Sequence, residues 1–355
     1  MNILQVLIGA AAIAGMFLLL VGPHEFGHFA IAKLFRVGVY EFSLGMGSRL
    51  WSTLRGGTLY ALRAIPLGGY VRLAGMEPGD YDAPAGFHGK PALQRLLILF
   101  GGPAVNFLVA TLLMTGVYLT QLNDDPGKVV GVLKDGPAYA QGLRPGDRIV
   151  AVEGRPLRQP DDVRKAEDAK PGQPLAFTVR HADGRTSTVT ITPAYNEHEK
   201  HYLVGIQTAR LVSPTDAVLG GVTFPFVATA VIGQTMYQVV TGQIPGGFFG
   251  QEGATGPIGF GYLTYHAATE GLVAWLALAA LLSMALGLTN LLPVPALDGG
   301  RMVVVLLEKL RGRPFDRERE MAVQRAGLIA LLALMALIAF FDVQRIATGQ
   351  FPGMK

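Results

Sequence analysis

Residues 1–28 read MNILQVLIGAAAIAGMFLLLVGPHEFGH, an apolar run that ends in the motif His24-Glu25-x-x-His28. Residues 1–23 contain no charged side chain, and a helix of that length can cross a hydrocarbon core of about 30 Å. The run has no basic start and leads straight into the motif, unlike a cleaved signal peptide. It therefore predicts a transmembrane helix that carries ionisable side chains at its far end.

The motif has the residue types and the spacing of a hydrolytic metal site. Histidines at positions i and i+4 of a helix face the same way, so His24 and His28 can bind one zinc ion. Glu25 can then accept a proton from a metal-bound water, whose pKa zinc lowers to about 7. The chain has only 7 histidines, so this spacing rarely arises by chance. Ionisable groups at membrane depth are also costly unless they are paired or bind a metal.

The rest of the chain predicts further membrane spans. Half of the residues are hydrophobic and only 16% are charged, which is low for a soluble domain. Uncharged runs at residues 96–123 and 271–297 are long enough to span, and the shorter apolar run at 326–341 has arginines at its ends. The uncharged segment 217–251 contains Pro225 and several polar residues in its second half. The segment is a candidate fifth span, but a bent helix that lies on the membrane fits as well. The position expected for a third metal ligand, described below, decides between the two, and we predict four spans.

The distribution of charge predicts an orientation. The formal net charge is +4, and basic residues concentrate between spans one and two and between spans three and four. Those two segments should share a side, and the positive-inside rule assigns both to the cytoplasm. This bias explains the basic balance without a nucleic-acid partner. The absence of cysteine excludes disulfides, thiolate metal sites and a cysteine nucleophile.

Residues 126–210 predict a soluble α/β module. Its predicted strands are bounded by turn residues and lie at residues 128–132, 148–152, 175–180 and 186–192. Gly136-Pro-Ala, followed by Gly-Leu-x-Pro-Gly-Asp-x-Ile at 142–149, resembles the pattern of a bacterial PDZ domain. That resemblance implies a groove that takes a peptide C-terminus or an extended segment. The groove would be formed by the last strand and its glycine, Leu203, Val204, Gly205 and Ile206.

Between the first two spans, the sequence predicts a small antiparallel sheet. Residues 39–44 and 58–63 have the composition of short strands. Gly56-Gly57 and Gly68-Gly69 are read as the turns that bound them.

A third metal ligand should be acidic and lie at a similar depth. Asp298 follows the third uncharged run, in NLLPVPALDGG at 290–300, where two prolines interrupt the helix and free backbone groups. The alternative is that Asp298 is an N-cap for a helix at 301–310. If segment 217–251 were a full crossing, Asp298 would finish on the face opposite to His24. The metal hypothesis therefore predicts that this segment does not span.

These motifs together resemble the site-2 protease family of intramembrane zinc metalloproteases, in its bacterial regulator-of-sigma-E protease branch. Four further sequences resemble that branch: Phe87-x-x-Lys90-Pro91, Gly102-Pro103-Ala104-Val105-Asn106-Phe107, Gly68-Gly69-Tyr70-Val71 and Gly256-Pro257-Ile258-Gly259. Within them, Asn106 is expected to stabilise helix contacts rather than to act in catalysis. The match covers nearly the whole chain. One departure is the single PDZ domain, since some members have two.

The resemblance implies Zn²⁺ bound by His24, His28 and Asp298, with Glu25 as the general base. It places the amide of Asn290 near a substrate carbonyl; a helix-packing contact is the alternative for this residue. A substrate helix must unwind before hydrolysis, and an exposed sheet edge would pair with it as a further strand. That edge would be formed by Gly69, Tyr70 and Val71.

The expected fold is an α-helical multi-span membrane protein with about four transmembrane helices, a small membrane-associated β-sheet and an inserted PDZ domain. Its expected regions are spans one and two with the sheet (1–125), the PDZ domain (126–210), a bracing amphipathic helix and loop (211–270), and spans three and four (271–355). The resemblance implies the bacterial inner membrane, with the active site near the cytoplasmic side and the PDZ domain outside. It implies single-span membrane proteins as substrates, typically an anti-sigma factor or a signal-peptide remnant.

Two other functions remain open at the level of sequence. Polar groups and broken helices in a membrane also suit a metal transporter, although no internal repeat is apparent and Glu25 stands where a hydrolytic base belongs. A non-catalytic scaffold with a peptide-binding PDZ domain is the second alternative. Replacement of Glu25 by Gln separates the protease from the transporter, and zinc content separates it from the scaffold.

Overall fold

The computed structural model describes residues 3–197, 199–244, 247–250 and 253–351. The chain divides into two units, one formed by Met1–Val117 with Gly220–Lys355 and the other by Tyr118–Leu219. The helices are α1 (Ile3–Leu34), α2 (Ala92–Leu119), α3 (Pro137–Ala140), α4 (Asp162–Ala169), α5 (Pro214–Val240), α6 (Pro257–Glu270), α7 (Leu272–Asn290), α8 (Asp298–Arg311) and α9 (Arg317–Ala347). The strands are β1 (Val39–Arg55), β2 (Thr58–Leu73), β3 (Val129–Val132), β4 (Arg148–Val152), β5 (Arg155–Pro156), β6 (Leu175–Arg180), β7 (Thr186–Ile191), β8 (Ala194–Asn196), β9 (His201–Leu203) and β10 (Ile206–Thr208).

Strands β1 and β2 form the predicted antiparallel sheet, but both are about three times longer than predicted. Their pairing runs from Val39 opposite Leu73 to the Gly56-Gly57 turn, with several shifts of register. The prediction that Gly68-Gly69 is a turn is wrong, because both glycines lie within β2. Gly68 has a φ of +88°, a conformation that glycine adopts without steric cost. It allows β2 to bend while the ladder continues.

The unit Tyr118–Leu219 contains the sheet β5-β4-β6-β7 and the strand pairs β10-β3 and β8-β9. Its core is built from apolar side chains of the strands, of α3 and α4 and of the turn after α3, including Leu143, Ile149, Phe177 and Ile191. The predicted strands at 128–132, 148–152, 175–180 and 186–192 all form, within one residue at each end. The predicted last strand at 203–206 does not form as one strand. It is interrupted at Gly205, whose φ is +80°.

In the larger unit, the helices that carry the motifs run in defined relative directions. Helix α2 is antiparallel to α1, since Gly101 lies against Gly27 while Asn106 contacts His24. Helix α7 is parallel to α1, with Trp275 beside Gly15 and its later residues packed near Leu20. Because α1 and α7 run the same way, their C-terminal ends lie at the same end of the bundle.

Within the part of the chain that the structure describes, five helices are long and apolar enough to cross a membrane: α1, α2, α5, α7 and α9. Four of them correspond to the predicted spans, and α5 is the segment that was expected to lie on the surface. Helix α5 is antiparallel to α2, because Gly221 lies against Thr115 and Ala228 packs with Ala110 further along.

Helix α6 then runs back along α1. Its Phe260 stacks on Phe17 with ring centroids 4.9 Å apart, and Tyr265 lies beside Gly9. The expectation that a crossing by α5 would carry Asp298 to the face opposite to His24 is therefore wrong. Before α7 begins, the chain runs back through α6 toward the start of α1. The prediction that 217–251 does not span stays a prediction, and residues 245, 246 and 251 of it lie outside the described residues.

Candidate active site

Three side chains from two distant parts of the chain meet at one point. The Nε2 atoms of His24 and His28 lie 3.2 Å apart, and each lies 3.3 Å from Oδ2 of Asp298. Both histidines are buried, with 7% and 9% of their surface exposed. Among the residues that the structure describes, this is the one group of His, Cys, Asp and Glu with the spacing of a metal site. The structure thus brings together all three residues that the sequence predicts as ligands.

The spacing of these three atoms fits a tetrahedral metal ion. Zinc bonds to nitrogen and oxygen are about 2.0 Å long, so two ligands on a tetrahedron lie about 3.3 Å apart. Oδ2 of Asp298 is also buried without a hydrogen-bond partner in the described part of the chain. A carboxylate oxygen in that state is unfavourable unless a cation binds it. Two imidazoles and one carboxylate are a donor set of catalytic zinc sites, so the residues fit a zinc ion.

Glycines bring α1 and α2 close enough to enclose the two histidines. A Cβ on Gly27 would lie 2.1 Å from the carbonyl oxygen of Gly101, so the two backbones touch. A Cβ on Gly102 would lie 2.3 Å from Nε2 of His28 and 2.7 Å from Cε1 of His24. Any larger residue at position 102 would occupy the space that the imidazoles need.

The chain between α7 and α8 positions Asp298. Ala296 has a φ of +78°, and its N–H donates to Oε1 of Gln324 at 2.6 Å, which holds this bend against α9. A Cβ on Gly299 would lie 2.3 Å from the carbonyl oxygen of Leu291, and a Cβ on Gly300 would lie 2.2 Å from that of Val294. The loop therefore leaves no room for a side chain at either position. Asp298 is the first residue of α8, and Leu297 is the N-cap. The alternative role of Asp298 as a side-chain N-cap is therefore not observed.

Glu25 faces strand β2 from α1. A Cβ on Gly69 would lie 3.3 Å from Cγ of Glu25, and Glu25, Tyr70 and Val71 line the same cavity. The side chain of Tyr70 is held by a hydrogen bond within the sheet, since its hydroxyl donates to Oε1 of the buried Glu41 at 2.9 Å. The predicted edge of β2 therefore lies directly beside the predicted base.

These groups line one cavity of about 360 Å³, which also reaches Asn290 and Arg301. Asn290 donates from Nδ2 to the carbonyl oxygen of Leu286, one turn earlier in α7, at 3.1 Å. That bond uses one of the two amide hydrogens of Asn290, and the other hydrogen and the carbonyl oxygen can still serve a ligand. Both predicted roles of Asn290 are thus compatible with its position.

Known proteins resemble this chain over most of its length. The chain matches peptidase family M50 over residues 12–334. It belongs to this family. A protein of Clostridium acetobutylicum, provisionally named a zinc metalloprotease, is 31% identical over 320 residues, which are 90% of this chain and 93% of that protein. Zinc metalloprotease RasP of Geobacillus kaustophilus is 26% identical over 403 residues, with 91% of this chain and 94% of the relative covered.

Among solved structures, the PDZ domain of the SdrC-like protein from Listeria innocua is similar to part of this M50 peptidase. The two are 21% identical, with a TM-score of 0.22, over 24% of this chain and 93% of the solved one. In the smaller unit of the peptidase, the backbone of the predicted groove is already hydrogen bonded. The N–H of Val204 donates to Glu167 at 2.7 Å, and the carbonyl oxygens of Val204 and Gly205 accept from Ala138 and Leu133. A peptide would have to bind beside these bonds, so the groove stays a prediction.

Two residues at the site of this M50 peptidase had no predicted catalytic role. Asn106 contacts the ring of His24, and Arg301, one turn after Asp298 in α8, lines the cavity. The sequence signal for Asn106 is its polar side chain within an uncharged, apolar span, because a polar group at that depth is costly without a partner. No such signal marks Arg301, because arginines are frequent throughout that basic segment.

Proposed function

We propose that this M50 peptidase is an intramembrane zinc metalloprotease, which hydrolyses peptide bonds in or near the transmembrane segment of membrane-anchored proteins. The observation that carries the proposal is the meeting of Nε2 of His24, Nε2 of His28 and Oδ2 of Asp298 within 3.3 Å of one another. Glu25 is the neighbour of a ligand in the same helix, and that helix is long and apolar enough to cross a membrane. The names of the relatives as zinc metalloproteases agree with this ligand set.

His24, His28 and Asp298 would hold the zinc ion, which when bound acidifies water and polarises the scissile carbonyl. Glu25 acts as the base: its carboxylate takes the proton of the attacking water and passes it to the leaving nitrogen. One peptide bond breaks, and a carboxylate and an amine form. Glu25 lines the same cavity as the three ligands, so the base lies within the site where the attacking water would be held.

Strand β2 would bind the unwound substrate. An unwound segment has backbone groups that lack partners, and lipid supplies none. Tyr70 and Val71 line the cavity, and Gly69 lies against Glu25. A substrate strand added along this edge would therefore have its carbonyls next to the base. The side chain of Asn290 would bind a carbonyl of the same segment from the opposite wall.

The orientation in the membrane follows from charge. The basic segments between α1 and α2 and between α7 and α9 favour an active site near the cytoplasmic face of a bacterial inner membrane. The unit Tyr118–Leu219 would then be extracytoplasmic and act as a PDZ domain that binds or filters substrates. Single-span proteins such as an anti-sigma factor or a signal-peptide remnant are the proposed substrates.

Replacement of Glu25 by Gln tests the proposal. Full-length protein and the variant are reconstituted in vesicles with single-span reporter proteins, and cleavage and bound zinc are measured. Glu25→Gln should lose cleavage and keep stoichiometric zinc, since glutamine preserves shape but cannot accept the proton. Glu318→Gln, an exposed position in the first turn of α9, is the matched control. Intact cleavage by Glu25→Gln, or a wild-type protein without zinc, would overturn the assignment.

A further inference from the structure

Asn106 is completely buried in α2, with 0% of its surface exposed. Its side-chain Nδ2 lies 3.2 Å from Nδ1 of His24. Its Oδ1 is buried and has no hydrogen-bond partner in the described residues. The backbone carbonyl oxygen of Asn106 accepts from Oγ of Ser283 at 2.9 Å, a bond that uses the main chain and not the side-chain amide. The amide lies at the ring of His24 with its oxygen unused.

The position of the His24 ring decides which nitrogen needs a proton. Nε2 of His24 faces His28 and Asp298, so Nε2 is the atom available to a metal. A neutral imidazole that binds metal through Nε2 carries its proton on Nδ1, and that proton needs an acceptor. His28 has such an acceptor, because its Nδ1 donates to the carbonyl oxygen of Ile98 at 2.8 Å.

For His24 the acceptor has to come from Asn106. The oxygen and nitrogen of an amide have nearly the same size, and their assignment follows from the surrounding hydrogen bonds. Rotation of the amide by about 180° exchanges the two atoms, so that Oδ1 faces the Nδ1 proton of His24. The rotation needs no movement of either helix, and it gives the now unpartnered Oδ1 a donor.

We propose that Asn106 is a positioning residue for zinc binding. Its side-chain oxygen accepts the Nδ1 proton of His24 and so fixes Nε2 as the ligand atom. The inference rests on the proposed zinc site and adds a requirement to it: position 106 needs an acceptor, whereas a helix contact needs only the right volume. Groups that orient metal-binding histidines typically change metal affinity by about 10–100-fold.

Three variants of the full-length protein separate these requirements. Asn106→Leu keeps the volume and removes the acceptor, Asn106→Asp keeps an acceptor, and Asn106→Ala removes the acceptor with less steric demand if the leucine variant misfolds. Ser283→Ala is the matched control, because it removes a neighbouring buried hydrogen bond that does not involve His24. Zinc affinity is measured by competition with a chelator of known affinity, and folding by thermal unfolding in detergent.

Asn106→Leu and Asn106→Ala should bind zinc about 10–100-fold more weakly than wild type, whereas Asn106→Asp and Ser283→Ala should stay within a few-fold of it. Wild-type affinity in the leucine or alanine variant would overturn the proposal. An equal loss in Asn106→Asp would also overturn it, because an acceptor would then not suffice. A wild-type protein that binds no zinc would instead refute the proposed function itself, so the two failures are distinguishable.

Discussion

Replacement of Gly102 by Ala is the sharpest test of how α2 shapes the metal site. The added Cβ would lie 2.3 Å from Nε2 of His28 and 2.7 Å from Cε1 of His24. Non-bonded heavy atoms prefer separations of about 3.5 Å or more, so the imidazoles would have to move by about 1 Å. Metal–ligand distances tolerate only about 0.2 Å. The histidines cannot clear the new methyl group and still meet Asp298 at one ion.

The expected result is a folded protein without zinc. Alanine favours a helix over glycine by about 1 kcal/mol, so α2 itself gains rather than loses stability. We expect zinc affinity to fall by at least about 100-fold, which corresponds to about 2.8 kcal/mol. Bound zinc is measured by elemental analysis after gel filtration, and affinity by competition with a chelator.

Gly116 of the same helix supplies the control, since a Cβ there would meet no described atom within 4 Å. Gly116→Ala should bind zinc like wild type. If Gly102→Ala also bound zinc with wild-type affinity, the imidazoles would not occupy their present positions in the metal-bound protein. The reasoning from this packing would then be refuted.

Two further predictions concern buried charge outside the site. The carboxylate of Asp342 accepts from two backbone N–H groups at the start of α6, at 2.9 and 2.8 Å, and pairs with the buried Arg345. Asp342→Ala should therefore lower the free energy of unfolding by about 3–5 kcal/mol. Denaturant unfolding measures this, and an unchanged midpoint would contradict the prediction. Burial raises the pKa of Glu41, but hydrogen bonds from Arg63 and Tyr70 outweigh it and hold the pKa below its ordinary value of 4.5. The sheet should therefore lose stability only as the pH falls below about 4.5, as followed by hydrogen exchange, and Glu41→Gln should abolish that dependence.

The site could be predicted from sequence as far as its chemistry is local. His24, Glu25 and His28 lie within one helical turn, so their spacing alone sets their geometry. Asp298 is far away in the sequence, but it is an acidic residue directly after an uncharged run and two prolines, and it therefore stands out. The predicted strands of the smaller unit could be recognised because each is a short run rich in β-branched or aromatic residues between turn residues.

Features that depend on contact between elements could not be predicted. Gly101 and Gly102 read as ordinary small residues of an apolar span, and only the approach of α1 shows why a side chain is excluded there. Gly68 looked like a turn because glycine is most common in turns, whereas here it bends a long strand. Asn106 gave no sign of its partner, since its proximity to His24 depends on the relative placement of two helices.

The pair α5–α6 explains why Asp298 meets the histidines even though α5 is long enough to cross a membrane. Helix α6 has 14 residues and is about 21 Å long, too short to cross a hydrocarbon core of about 30 Å. It begins opposite the middle of α1 and runs toward the end where α1 begins, as the contact of Phe260 with Phe17 requires. Irregular backbone at such a depth needs hydrogen-bond partners from the protein. Asp342 accepts from the backbone N–H of Gly256 at the start of α6, and Arg345 donates to the carbonyl oxygens of Gly250 and Ala254. The pair therefore enters and leaves at one end of the bundle, α7 starts beside the first half of α1, where Trp275 meets Gly15, and Asp298 arrives at the level of His24.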